Sequence, residues 1–472
     1  MSKLLRPKIL LALICALLLF TRFYKITEIP PSVYWDEASI GYNAYSIAQN
    51  GKDEWGETFP IHFRAFGEFK LPVYIYATVL SVKIFGLNEL SVRLPAVLFS
   101  LGAVVIIYFL TKRLSGSERT GILASFIFSV SPWYFIFSRT GYEATAGLMF
   151  YLLAIYLFLF NNRNSLYIFF SVLSFILSAY SYNSFRIVAP LTIIILIFYE
   201  LKNLKYLLSK AIPPIILSLV ILIFSLVPIY RLYVYDVGAS RLQVVGTTSS
   251  SFIKNYFSHF SLDFLLLNGD KNPRSQQPGF GQLFLPEAAL LLFGLLYLIS
   301  GKSKYKWLLF ALLLLGPIPA AITKESPHAL RSIAMVPFIS IISAVGVVAF
   351  SKRIKKENYI FLMVCLVFLA FFINYFWSFL NVYPTKSAEE WQSEYKKIYT
   401  DNGNRFNGYQ RILISDQYAQ PYIFTLFYLK YNPESFRREV VRNSIDQWGF
   451  STVKKFGKFE FGKYPELITF ER

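Results

Sequence analysis

LPVYIYATVLSVKIFGL, residues 71–87, decides how this chain is laid out. The run is apolar and almost long enough to cross a bilayer, where ~20 residues at 1.5 Å rise span the hydrocarbon core. Whether it crosses sets the side of every later loop. If it does, Lys112, Arg113 and the Lys352–Lys356 cluster fall outside. If it does not, they fall in the cytoplasm, where the basic residues of short loops concentrate. The charge bias therefore predicts an interfacial helix on the outer face, with Lys70 and Lys83 at the water boundary.

The surrounding chain supports a membrane setting. Of its 472 residues, 55% are hydrophobic and 16% charged, against roughly 25% charged in soluble domains. The apolar residues come in blocks such as ILLALICALLLFTRF and AIPPIILSLVILIFSLVPIY. A backbone in hydrocarbon must satisfy itself, so such blocks are helices. Spans are expected near 8–22, 93–111, 120–137, 143–160, 165–181, 185–199, 211–230, 284–300, 306–322, 332–350 and 358–380. The first has a basic start but no small-x-small cleavage site after it, and reads as an uncleaved span. With the N-terminus in the cytoplasm, the inner segments hold Lys3, Arg6, Lys8, Lys112, Arg113, Arg119, Arg163, Lys202, Lys205, Lys210, Lys302, Lys304, Lys306, Lys352, Arg353, Lys355 and Lys356. The short outer loops hold Arg139, Arg186, Lys324 and Arg331. The net charge of +19 thus reports topology and a basic tail, and nucleic acid is not a partner.

The expected fold class is an all-α polytopic membrane protein of about eleven spanning helices. A transmembrane domain covers 1–380, with large outer loops at 23–92 and 231–283, and a small extracytoplasmic α/β domain covers 381–472. In that tail, 387–403 looks helical, RILIS (411–415) looks like a buried strand, 417–430 like a second helix, and 454–463 like a strand. Cys15 and Cys365 both lie in expected spans, so no disulfide framework or thiolate metal site is implied.

Polar residues gather where spans meet outer loops. In VYWDEASIGYNAYSIAQNG (33–51), Asp36 and Glu37 adjoin just beyond the first span. Neighbouring carboxylates near a membrane repel, and one so perturbed can serve as a general base. The plainer reading makes Asp36 a helix N-cap. In FRAFGEFKLPVYIY (63–76), Arg64 and Lys70 suit a lipid-linked phosphate at headgroup depth, or ordinary headgroup contact. SRTGYEATAG (138–147) places Arg139, Tyr142 and Glu143 at the mouth of the fourth span. A carboxylate entering a span is a functional candidate, though the helix dipole also favours it there. NGDKNPRSQQPGFGQLFLP (268–286) contributes Asp270 and Arg274, and TKESPHALRSIAMVP (323–337) contributes His328 and Arg331. An Arg at a helix start opposes the dipole and seeks an anion. No HExxH, P-loop, GxGxxG or Cys/His cluster occurs, which removes zinc-protease, ATPase and nucleotide-binding readings.

The Asp-Glu pair, the long first loop, FKLPVYIY, and LNELSVRLPAVLFSLGAVVIIYFLTKRLSG (87–116), in this order, resemble the C-type fold of membrane glycosyltransferases. The likeness is to the protein O-mannosyltransferase and aminoarabinose transferase superfamily, in a prokaryotic branch, and is best over 1–200. It implies an inverting transfer of a hexose or pentose from a polyprenyl-phosphate donor to a lipid, glycan or protein acceptor, outside the cytoplasmic membrane. By the same resemblance Asp36 is the base, with Glu37 beside it, and Glu143 stands where an Asp is more usual. Lys70 would hold the donor phosphate, aided by Arg64, Arg139 and Arg331. No cofactor is implied, and a divalent metal is not indicated. A developing phosphate charge calls for fixed cations. Two other classes compete: a lipid or glycolipid transporter, which would need paired repeats and midplane polar residues, and a scaffold whose tail binds envelope glycans.

Overall fold

The computed structural model describes residues 7–66, 68–160, 164–200, 212–234, 246–301, 305–403, 405–444 and 451–472. Lys3, Arg6, Arg163, Lys202, Lys205, Lys210, Lys302 and Lys304 of the inner-side count lie outside the described residues. Each expected span coincides with helical structure, from α1 (Pro7–Phe23) to Glu357–Asn381. Four helices are long and apolar enough to cross a membrane among the described residues: Glu89–Ser115, Ile212–Val234, Ile333–Ile354 and Glu357–Asn381. Glu118–Val130 and Pro132–Arg139, bent by 62°, make a fifth if taken as one span.

Pro132 causes that bend, because it has no N–H to continue the ladder. Buried arginines link the two sides of this region. Arg22, fully buried at the end of α1, donates to Ser129 O at 2.7 Å and Ser138 Oγ at 2.8 Å. Arg139, equally buried, returns the favour, donating to Thr21 O (3.0 Å), Tyr24 O (3.0 Å) and Ile29 O (2.8 Å). Two charges thus tie the first helix to the broken one.

The stretch after α1 builds the upper layer. It contains α2 (Trp35–Asn50), a two-stranded antiparallel hairpin of β1 (Phe63–Arg64) and β2 (Phe69–Lys70), α3 (Pro72–Phe85) and α4 (Glu89–Ser115). Pro72 opens α3 and Gly86, at φ 73°, closes it. The helix has 14 residues, the same length as Leu166–Ala179 on an expected span, so length alone does not decide whether it crosses. Tyr74 on its inner side is buried and donates to Val92 O at 2.8 Å, while Leu80, Ile84 and Phe85 are exposed. The helix thus packs on the protein along one side and presents apolar side chains on the other. A reciprocal Asn88–Ser91 capping box then starts α4.

The tail folds around a five-stranded mixed sheet of order β4-β5-β6-β3-β7. Its strands are β3 (Arg411–Ser415), β4 (Val441–Arg442), β5 (Val453–Phe456), β6 (Phe459–Gly462) and β7 (Ile468–Glu471). β3 lies parallel to β6 and antiparallel to β7, with Ile412 and Ile414 fully buried. The strand expected over 454–463 is instead the β5–β6 hairpin, turned at Gly457 with φ 50°. The helix expected over 417–430 is Pro421–Tyr428, delayed by left-handed Ala419 and Gln420. The helix expected over 387–403 begins only at Ser393, after a left-handed Gln392.

The tail packs directly on α2. Tyr42 and Ile47 share a hydrophobic cluster with Tyr395, Ile423, Phe427 and Phe436. A Cβ on Gly41 would lie 2.7 Å from the Phe427 ring, so only glycine allows this approach. Arg437 donates to Ser46 Oγ at 2.9 Å, and the Arg442 guanidinium stacks 3.4 Å from the Trp55 ring centroid. Glu54, 2% exposed, accepts from Tyr422 Oη at 2.7 Å. Burial lifts its carboxyl to about 7, against the opposing pull of Arg442 and the Tyr422 hydroxyl.

Between pH 4.5 and about 7 the folded protein therefore binds more protons at Glu54 than the unfolded chain does, and stability falls as pH rises through that window. Thermal unfolding of the detergent-solubilised protein should show this decline. Glu54→Gln should flatten the slope, and an unchanged slope would mean that Glu54 is not buried against the tail.

Candidate active site

Asp36 and Glu37 occupy the first turn of α2, which begins at Trp35. The N-cap is Tyr34, so Asp36 is not the cap that the plainer reading made it. Successive helical residues point about 100° apart, and the two carboxylates enter different surroundings. Glu37 turns into the protein. Its side chain and that of Arg93 are both 0% exposed and pair in two places, Nε to Oε1 and Nη2 to Oε2, each 3.1 Å. Arg93 also donates to Ile26 O at 2.6 Å and Ser32 O at 2.6 Å. Gly141 N donates to Glu37 Oε1 at 2.6 Å, which locks the 138–143 turn against the same pair.

Asp36 faces a semi-exposed cluster. Lys70 Nζ lies 2.6 Å from Asp36 Oδ1, 3.1 Å from Glu68 Oε1 and 3.7 Å from Glu143 Oε1. Lys70 is nearly buried, whereas Asp36 keeps 22% of its side chain exposed. Burial works against the ammonium charge, but the carboxylates of Asp36, Glu68 and Glu143 outweigh it and hold the Lys70 pKa above its usual range. Asp36, Lys70 and Glu143, three residues singled out in the sequence, thus meet at one point. Glu68 was not singled out. Its signal is the Glu68-Phe69-Lys70 alternation, which in extended chain puts residues i and i+2 on one side.

One ammonium among three carboxylates leaves an excess of negative charge, which a second cation must offset if an anion is to bind. Arg274 supplies it. Its guanidinium stacks 5.1 Å from the Tyr34 ring and 5.5 Å from the Trp35 ring, and Nε lies 3.8 Å from Glu390 Oε2. Burial disfavours its charge, but Tyr142, Tyr34 and Asp36 raise its pKa overall, which places Asp36 within electrostatic reach. Among the described residues, no hydrogen bond engages its two terminal nitrogens. Tyr142 lines the same wall, its ring 5.5 Å from Tyr34.

The other candidates lie elsewhere. Arg139 is consumed by the carbonyls of the first helix and the loop after it. Arg64 stacks on Trp55 at 5.0 Å, on the side of the hairpin that meets the tail. Arg331 folds back on its own segment, to Thr323 Oγ1 at 2.8 Å and Glu325 Oε2 at 3.2 Å. Asp270 Oδ2 accepts from Ala329 N at 2.7 Å and lies 3.6 Å from His328 Nδ1, so these two residues join the 268–286 and 323–337 loops. Among the described residues, no group of His, Cys, Asp and Glu is arranged to hold a metal ion.

A family model described as dolichyl-phosphate-mannose-protein mannosyltransferase matches residues 70–230, beginning at Lys70 itself. Among solved structures, the chain is similar to ArnT from Cupriavidus metallidurans in the apo state. The TM-score is 0.57 at 12% identity, over 89% of this chain and 84% of that one. The same protein bound to undecaprenyl phosphate matches with TM-score 0.53 at 15% identity, over 71% of this chain. The oligosaccharyltransferase of Archaeoglobus fulgidus in the apo form matches with TM-score 0.52 at 11% identity, over 90% of this chain. At these identities the structural likeness speaks for the C-type fold alone. The chain spans 59% of the lipid-bound ArnT chain and 64% of the archaeal one. A search of curated sequences finds no match. The fold and the apolar helices make the chain an integral membrane protein.

The two carboxylates of α2 should separate cleanly on mutation. Glu37→Ala strands Arg93 as an uncompensated buried charge, a change that costs about 3–5 kcal/mol. Asp36→Asn should leave the folded state nearly intact. Thermal melts of the purified variants check this, and equal melting temperatures for both would contradict the assignment.

Proposed function

We propose that this protein is an inverting glycosyltransferase that moves a sugar from a polyprenyl-phosphate donor to an acceptor at the outer face of the cytoplasmic membrane. The observation that carries the reading is the Asp36–Lys70 contact of 2.6 Å, flanked by Glu143 and open to Arg274. It joins a candidate base to two cations at the partly exposed first turn of α2. The fold is that of proteins that include one solved with undecaprenyl phosphate.

The chemistry follows from those groups. An acceptor hydroxyl or amine attacks the anomeric carbon while the bond from that carbon to the phosphate oxygen breaks. The acceptor proton passes to the Asp36 carboxylate, and the electron pair of the broken bond leaves on the lipid phosphate. Arg274 and Lys70 stabilise that oxyanion. Fixed cations suit such a charge because they need no reorganisation as it develops. Lys70 keeps Asp36 oriented before the phosphate arrives. Glu68 and Glu143 keep Lys70 charged, and Glu37 holds the turn that carries Asp36. In this reading α3 lies in the outer headgroup layer, the tail is extracytoplasmic, and the phosphate docks at headgroup depth. Against a transporter, the charged residues that the fold brings together, Asp36, Glu68, Lys70 and Glu143, stand at the ends of helices and in the loop before α3 rather than along the middle of a span.

The test is transfer of radiolabelled sugar from isolated polyprenyl-phosphate donors into membrane-fraction acceptors. Asp36→Asn should lower turnover roughly 10²–10⁴-fold, the usual worth of a general base. Asp36→Ser should be equally inactive. Arg274→Ala and Lys70→Ala should weaken donor binding by about 1.5–3 kcal/mol each, the worth of a charge-assisted hydrogen bond. Near wild-type transfer by both Asp36 variants would remove Asp36 as base. For sidedness, a cysteine at Asn88 in a Cys15- and Cys365-free background should react with an impermeant thiol reagent from outside, and one at Ile354 should not.

A further inference from the structure

The segment between the last long helix and the sheet domain does more than connect them. Gln392 Oε1 accepts from Trp35 N at 3.0 Å, although the two residues are 357 positions apart. That amide is the first of α2 and belongs to the set that a helix start leaves unpaired. The local sequence offers it nothing, because the N-cap residue, Tyr34, makes no side-chain cap bond. Gln392 is itself tightly held. It is 4% exposed, its backbone is left-handed at φ 50°, and its Nε2 donates to Tyr418 O and, at 3.1 Å, to Ala419 O. The two preceding residues grip the same place. Trp391, fully buried, meets Tyr34 edge-on at 5.3 Å and donates to Tyr383 Oη at 2.7 Å. Glu390 lies 3.8 Å from Arg274.

We infer that Gln392 is a positioning residue for Asp36: the sheet domain supplies, through this one side chain, the cap that fixes the first turn of α2. Asp36 directly follows the capped residue, so a tilt of that turn moves its carboxylate relative to Lys70 and Arg274. A misplacement of 1 Å in a reacting group costs on the order of 10²-fold in rate. In that reading donor binding is supplied by Lys70 on β2 and Arg274 on the 268–286 loop, and Gln392 bonds to neither, although Arg274 stacks on the Trp35 ring. Loss of the cap therefore lowers turnover far more than donor affinity. This inference rests on the reading of Asp36 as the base.

The experiment compares Gln392→Leu, Gln392→Glu and Asp36→Asn as full-length proteins in membranes, measuring kcat and donor KM for sugar transfer alongside thermal stability. Leucine fills the space but accepts nothing. Its kcat should fall roughly 10–100-fold, with donor KM within about twofold of wild type. Glutamate, kept protonated by burial beside the Tyr418 and Ala419 carbonyls, keeps an acceptor oxygen facing Trp35 N and a donor facing those carbonyls, and should hold kcat within about threefold. A folded Gln392→Leu protein with wild-type kcat would overturn the inference, as would a rise in KM with kcat unchanged. If the leucine variant does not fold, the glutamate variant decides alone: folded protein as inactive as Asp36→Asn refutes the positioning role. Wild-type transfer by Asp36→Asn would instead take down the parent reading, and the two failures are told apart in one assay.

Discussion

Everything near the site hangs on the paired charges of Arg93 and Glu37. Neither side chain touches solvent, and neither would be tolerated alone in that interior. Together they use up their hydrogen-bonding capacity on fixed backbone: the carbonyls of Ile26, Pro30 and Ser32, and the amide of Gly141. One pair thereby joins the chain before α2, the start of α2, the first turns of α4 and the turn that carries Glu143. Gly141 is part of the fit, since a Cβ there would sit 2.9 Å from Glu37 Cγ. The ionisable groups that face the outside are placed by one that does not.

Given that anchor, the cluster around Lys70 is a problem in charge balance. Three carboxylates close to one ammonium are stable only where some of them keep contact with water, and Asp36, Glu68 and Glu143 all do in part. Such a cluster repels an anion unless a further cation stands by, which is why the position of Arg274 matters as much as that of Lys70. The aromatic stack under Arg274 holds its planar group in one orientation and leaves the terminal nitrogens available. Bidentate recognition of a phosphate needs that geometry.

Much of this was legible in the residues. Blocks of apolar sequence located the helices, and the 71–87 run holds one of 14 residues, Pro72–Phe85. Asp36, Lys70 and Glu143 were readable because charged residues at the edge of apolar segments are costly and so rarely idle. Arg93 stood in plain view inside an apolar helix, but a buried arginine signals only that a partner exists, not which one. Arg139 carried the same signal and turned out to serve backbone carbonyls. Glu68 and Gln392 were harder. A glutamate in an outer loop looks like any solvated charge, and a glutamine 357 residues from the helix it caps has no local pattern at all. Long-range pairing of backbone amides with side chains is a tertiary fact, and single-sequence periodicity does not encode it.

The break at Pro132 gives the molecule two solvents. Where a span would normally seal its own hydrogen bonds, this one opens, and the Arg22 guanidinium serves the Ser129 carbonyl just before the break. The interior at that level is packed protein carrying two buried guanidinium groups, while outer staves such as Ile212–Val234, with only 11% of its apolar window buried, are open to the surroundings. Every residue from Thr120 to Arg139 is buried, so the broken helix is surrounded by its neighbours along almost its whole length. A membrane segment enclosed by protein in this way is free to open its ladder at Pro132.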